Sequence, residues 1–127
     1  MKSRRLLFFL IITFLAMAVW TVYAQLYITK PQIQIIIRYN IDKFMHIVGG
    51  AFIMALLTYI FGPRKFSQII ISVLIFSAIW EIVELNVDKQ VLFFYNNNPG
   101  MWVKDTVGDT LFAFVGAFAA TRFVKTK

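Results

Sequence analysis

The chain has no cysteine, one histidine, three prolines and few charges among its 127 residues. Without cysteine there is no disulfide framework, no thiol nucleophile and no cysteine-type zinc site. Charged residues make up 15% of the chain and hydrophobic residues 60%. Soluble domains average about 25% charged and about 45–50% apolar. That imbalance excludes a disordered chain, a nucleic-acid-binding arm and most soluble enzymes. Some chemistry is also missing by motif. There is no glycine-rich phosphate loop and no HExxH zinc signature, and no nucleophile elbow surrounds Ser72 or Ser77.

What is present suits lipid as the solvent, with a mean hydropathy of +0.73. About 20 apolar residues cross a bilayer core. Leu6–Ile28 is a run of 23 residues without charge, preceded by Lys2, Arg4 and Arg5. Val22–Tyr23–Ala24 would suit cleavage of a signal peptide, but the run continues beyond it, and this length favours a retained helix. Three further helices are expected at about 42–61, 66–85 and 105–124, with outer loops over 29–41 and 86–104. Gly62–Pro63–Arg64–Lys65 is a helix-breaking turn. Pro31–Asn40 alternates Ile and Gln and fits either a surface strand or an interfacial helix. Val91–Tyr95 is expected on the membrane surface. The fold class is therefore all-α: a polytopic membrane protein of four transmembrane helices in one small bundle, a single domain over residues 1–127.

The basic residues orient it. Lys2, Arg4, Arg5, Arg64, Lys65, Arg122, Lys125 and Lys127 fall on one side, and Lys30, Arg38, Lys43, Lys89 and Lys104 on the other. The richer side is expected in the cytoplasm, with both termini there. The net charge of +7 is thus an orientation and anionic-leaflet signal, and no nucleic-acid partner is implied. Trp20, Tyr23, Tyr27, Tyr39, Trp80, Tyr95 and Trp102 fall near the outer interface and read as an aromatic belt. Gly49, Gly50, Ala51 and Ala55 on the second helix, and Gly108, Ala113, Gly116, Ala117 and Ala120 on the fourth, allow close approach. These two helices are the expected tight pair.

All six acids, Asp42, Glu81, Glu84, Asp88, Asp105 and Asp109, fall at the outer face. Asp42 and His46 share a helix face, as do Glu81 and Glu84, and Asp105 and Asp109. Ionisable groups in lipid normally face the bundle interior or a wet cavity, so the three stripes are expected to converge. Helix capping is an adequate account of Asp42 and Asp105, which lie in expected first turns where the dipole favours an anion. It does not account for Glu81 and Glu84 at a helix C-terminus. Clustered carboxylates with only Lys43 and Lys104 near them must hold protons or a cation. A carboxylate–histidine set suits a divalent metal, with His46, Glu81, Glu84 and Asp109 as candidate ligands, or general acid–base work.

Asp42–Lys43–Phe44–Met45–His46 resembles the DKxxH motif that opens a helix in VanZ-like membrane proteins. Glu81–Ile82–Val83–Glu84 is similar to the acidic pair ending the next helix. Asp105 to Asp109, followed by Gly116, resembles the opening of the last helix, and Asp at 109 is nearer the YjdF-like branch of small inner-membrane proteins. The resemblance covers residues 40–120. It implies a multi-pass protein of the inner membrane with its polar site facing outward. On this reading Glu84 and Asp109 are central acids, Glu81 and Asp105 their partners, and Asp42 and His46 an orienting pair. The site would act on a cell-envelope lipid or a cell-wall precursor. Two other classes compete: a non-catalytic envelope or assembly protein, and a proton-coupled transport or relay protein. The relay needs polar residues down to the inner face, where only Thr58, Gln68, Ser72 and Ser77 are available.

Overall fold

A computed structural model of the chain describes residues 4–63, 65–87 and 89–122. Lys2, Arg64, Asp88, Lys125 and Lys127 lie outside the described residues. Six helices follow one another: α1 (Arg4–Tyr27), α2 (Lys30–Arg38), α3 (Lys43–Phe61), α4 (Phe66–Val87), α5 (Lys89–Asn97) and α6 (Pro99–Ala120). There is no strand among the described residues.

α1, α3 and α4 are long and apolar enough to cross a membrane by length and composition. Their outer surfaces are apolar too: Phe8, Val19, Phe44 and Ile82 are all more than 60% exposed. α6 matches them in length at 22 residues but carries Lys104, Asp105 and Asp109 in its first half.

The two segments expected as outer loops are largely helical. Residues 30–38 form α2 because the Ile/Gln stretch has a helical stripe within its alternation: Ile33 and Ile37 are buried, four residues apart. Gln32 fixes the start, its side chain accepting from the Thr29 backbone N–H at 2.8 Å. Asn40, at φ 55°, then turns the chain into α3. Residues 89–97 form α5, whose Val91, Phe94 and Tyr95 face inward and pack against Ile28, Ile33 and Ile37. α6 starts at Pro99, not at 105, because proline is tolerated in a first turn where its missing N–H would be unsatisfied anyway. At the other end Gly62, at φ 81°, closes α3 with its N–H on Thr58 O at 2.9 Å.

Lipid chains are as apolar as leucine, so membrane helices associate through close packing. α3 and α6 do this by backbone contact. A Cβ added to Gly50 would stand 1.8 Å from Ala113 O, and one on Gly116 would stand 1.8 Å from Ile47 O. Met54, Ala55, Val73, Ala113 and Ala117 fill the core beyond them. α3 and α6 begin at the same end of the bundle, and α1 and α4 finish there, beneath the small α2–α5 cap.

Candidate functional site

The buried stripe of α6 runs Asp105, Asp109, Ala113, Gly116, Ala117 and Ala120. Its inner part lets α3 approach; its first part carries two acids into the same interface. Asp109 is 1% exposed and Asp105 6%. Such burial is tolerable only if the charges are paired. The partner is Lys43, the first residue of α3, itself 3% exposed. Its Nζ donates to Asp109 Oδ1 at 2.5 Å, to Asp42 Oδ2 at 3.2 Å and to Asp105 Oδ1. An ammonium has three donors, and three carboxylates take them. Gly108 makes room for this stem, since a Cβ there would stand 3.1 Å from Lys43 Cε.

His46 comes one turn after Asp42 and places Nε2 3.2 Å from Asp109 Oδ1. From the cap, the Tyr95 hydroxyl donates to Asp105 Oδ2. From α4, Glu81 is buried and its Oε2 accepts from the Thr106 hydroxyl at 2.9 Å. Its Oε1, and Asp42 Oδ1, are buried without a hydrogen-bond partner among the described residues. Burial is the largest influence on Asp42 and holds its carboxyl above the ordinary range, with Lys43 opposing it. Tyr95 is likewise raised, by burial and by Asp105.

The expected stripes are thus brought together in part. Asp42, Asp105 and Asp109 surround one ammonium, with His46 on Asp109; Glu81 stands beside them, tied to α6 through Thr106. Glu84 instead lines two neighbouring cavities with Asp42. Capping fails as an account of the helix-start acids. Asp105 sits in the second turn of α6, and Asp42, at the N-cap position of α3, makes no side-chain cap bond. Lys104 is exposed, and among the described residues Lys43 is the cation that meets these acids.

Three groups in this centre were not singled out by sequence: Lys43 as its hub, Tyr95 and Thr106. Lys43 carried a readable signal, lying between Asp42 and His46 at the start of an apolar helix. Tyr95 looked like one more member of the belt. Chemically, three carboxylates on one ammonium leave two negative charges for protons, a charged His46 or a ligand to balance. One oxygen or nitrogen from each of Asp42, His46 and Asp109 also falls within 4.8 Å of the others. That grouping shares His46 and Asp109 with the expected metal set but has Asp42 in place of Glu81 and Glu84.

A family described as predicted membrane protein, DUF2238, matches residues 2–126. The chain belongs to this family. Membership agrees with the apolar outer surface of α1, α3 and α4, and the DUF2238 chain is a membrane protein with its apolar helices in the bilayer. Neither a curated protein nor a solved structure matches it.

Proposed function

We propose that this DUF2238 protein is a VanZ-like membrane protein of the YjdF-like branch that binds and acts on a cell-envelope lipid or cell-wall precursor. The single observation that carries this reading is the meeting of Asp42, Asp105 and Asp109 on Lys43, with His46 3.2 Å from Asp109. Intramembrane ionisable groups are expensive and mark functional sites by default. A carboxylate beside a neutral imidazole is a general acid–base pair. In this reading Asp109 and His46 handle a proton of the substrate. Asp42 and Asp105 hold Lys43 in place, Glu84 lines the approach, and Glu81 is held beside the centre by Thr106.

The same reading makes α6 the fourth span. Its acids point to Lys43, and beyond the exposed Lys104 its outward side is apolar, with Val107, Leu111, Val115 and Phe118 exposed. Both termini then lie in the cytoplasm of the inner membrane, and the site opens to the extracytoplasmic side. Envelope lipids and cell-wall precursors are compared in host cells carrying the native chain, Asp109→Asn or no chain. The reading expects Asp109→Asn, present at normal membrane levels, to reproduce the profile of cells without the chain. A native profile from Asp109→Asn would indicate an assembly role instead.

A second reading rests on the Asp42–His46–Asp109 grouping. Two carboxylates and an imidazole suit a divalent metal. Such an ion would compete with Lys43 for Asp109. Metal content of the purified protein, with and without His46→Ala, tests it: bound metal lost in the variant supports this reading.

A further inference from the structure

α1 packs along α3, and α4 packs on α6 and α3, which leaves a cleft between α1 and α4 with α3 as its floor. Its inner chamber, of about 160 Å³, is lined mainly by apolar groups: Met17 from α1, Ile53 and Leu56 from α3, and Phe76 from α4. Gly49 deepens the floor, where an added Cβ would meet nothing within 4 Å. The adjacent Gly50 serves the backbone contact with α6. Gly49 makes no such contact, and the side chain it lacks is space in the cleft. Phe76 and Trp80 are also exposed on the outer surface of the bundle, so the α4 wall is reached from the bilayer side. The cleft continues into an outer chamber of about 250 Å³, where Gln25, Asp42 and His46 supply polar groups. Trp20, Trp80 and His46 line both chambers.

Width and depth select the occupant. Both walls are helices long and apolar enough to cross a membrane, so the inner chamber lies among lipid chains. A helix is about 10–12 Å across with its side chains. That is too wide for the chamber and excludes a helix from a partner or a second copy. A cavity of about 150 Å³ accepts a benzene-sized apolar group, and a segment of hydrocarbon chain is of that size. Walls on both sides then give the chain close dispersion contacts. Indoles favour the level where headgroups meet chains, and Trp20 and Trp80 stand where the apolar chamber gives way to the polar one. His46 stands at the same junction, with its Nε2 3.2 Å from Asp109 Oδ1. We propose that this cleft seats one hydrocarbon chain of a bilayer lipid, which enters between α1 and α4 and brings the lipid's first polar groups to His46. The proposal rests on the envelope-ligand reading above and narrows it. The ligand arrives from within the bilayer and is selected by its chain, not by the charge of its head.

Photolabelling tests it. The full-length protein is placed in nanodiscs of unlabelled phosphatidylglycerol. A small fraction of phosphatidylglycerol or phosphatidylethanolamine with a photoreactive diazirine in one acyl chain is added. After illumination, peptide mass spectrometry reads which residues carry the label. Matched residues at similar depth separate the cleft from the ordinary lipid-facing surface: Met17 against Val19 on α1, and Phe76 against Ile75 on α4. Val19 and Ile75 are the more exposed of each pair, so random contact with lipid favours them. Seating of a chain predicts the reverse, an excess of label on Met17 and Phe76 with either headgroup. Gly49→Leu fills the chamber from its floor and Met17→Trp from its α1 wall. Each should abolish the excess at Phe76, and thermal unfolding verifies that the variants fold. The native pattern is decisive even if a variant does not fold. Label that follows exposure overturns the proposal, as a closed cleft or another occupant would produce. So does an excess confined to one headgroup, or one that survives in a folded chamber-filling variant. Asp109→Asn should keep the native labelling pattern, so a failure here leaves the acid–base reading to be judged by the Asp109→Asn lipid profile.

Discussion

Lys43 Nζ lies 2.5 Å from Asp109 Oδ1, joining α3 to α6 through two side chains that are almost wholly buried. The contact explains how α6 carries two acids into a bundle of apolar helices. It also makes the site and the fold interdependent, because the same stripe of α6 serves both.

Removing the hub should therefore cost stability. Lys43→Met leaves Asp105 and Asp109 buried without their cation, and breaking such a pair costs about 3–5 kcal/mol. Thermal unfolding in a mild detergent should show a large loss for Lys43→Met. The double variant Lys43→Met/Asp109→Asn should recover part of it, because one stranded charge is removed.

Tyr95 ties the cap to the site. Tyr95→Phe removes the only donor given to Asp105 Oδ2 among the described residues. The cost should be about 1–3 kcal/mol. Hydrogen exchange should rise in α2 and α5 and change little in α3.

The α3–α6 contact separates two adjacent glycines. Gly50→Ala drives a Cβ into the Ala113 carbonyl, whereas Gly49→Ala meets nothing within 4 Å. The first should lose about 1–3 kcal/mol through overpacking, and the second should be close to neutral. Melting temperatures of the two variants check the difference.

Much of this bundle is legible in the sequence. Uncharged runs mark α1, α3 and α4 to within a few residues, and Gly62–Pro63 marks the turn between two of them. The short helices are harder to see. α2 and α5 are held by only a few inward residues each, Ile33 and Ile37 in one and Val91, Phe94 and Tyr95 in the other, and so short a stripe is ambiguous in period. The start of α6 is hidden because Asn98–Pro99–Gly100 reads as a turn while Pro99 opens the helix. In the site, helical spacing places Asp42 with His46 and Asp105 with Asp109. It does not say which way each stripe faces across the bundle. That is why the placements of Glu84, which lines two cavities with Asp42, and of Lys43, which lies among three aspartates, are not legible from spacing.

The absence of native cysteine makes the proposed four-span topology directly testable. Asn97→Cys should react with a membrane-impermeant thiol reagent applied from outside the cell. Lys65→Cys should react only after the membrane is opened. The reverse pattern would invert the orientation.

The shared centre itself is tested by a distance. Solid-state NMR on the protein in lipid, with lysine Nζ labelled with nitrogen-15 and aspartate Cγ with carbon-13, reports dipolar coupling between ammonium and carboxyl groups. Strong coupling, corresponding to less than about 4 Å, lost in Lys43→Met and reduced in Asp109→Asn, where Asp42 and Asp105 still hold the ammonium, is the predicted result. A Lys43 ammonium that couples to no aspartate carboxyl would contradict the account.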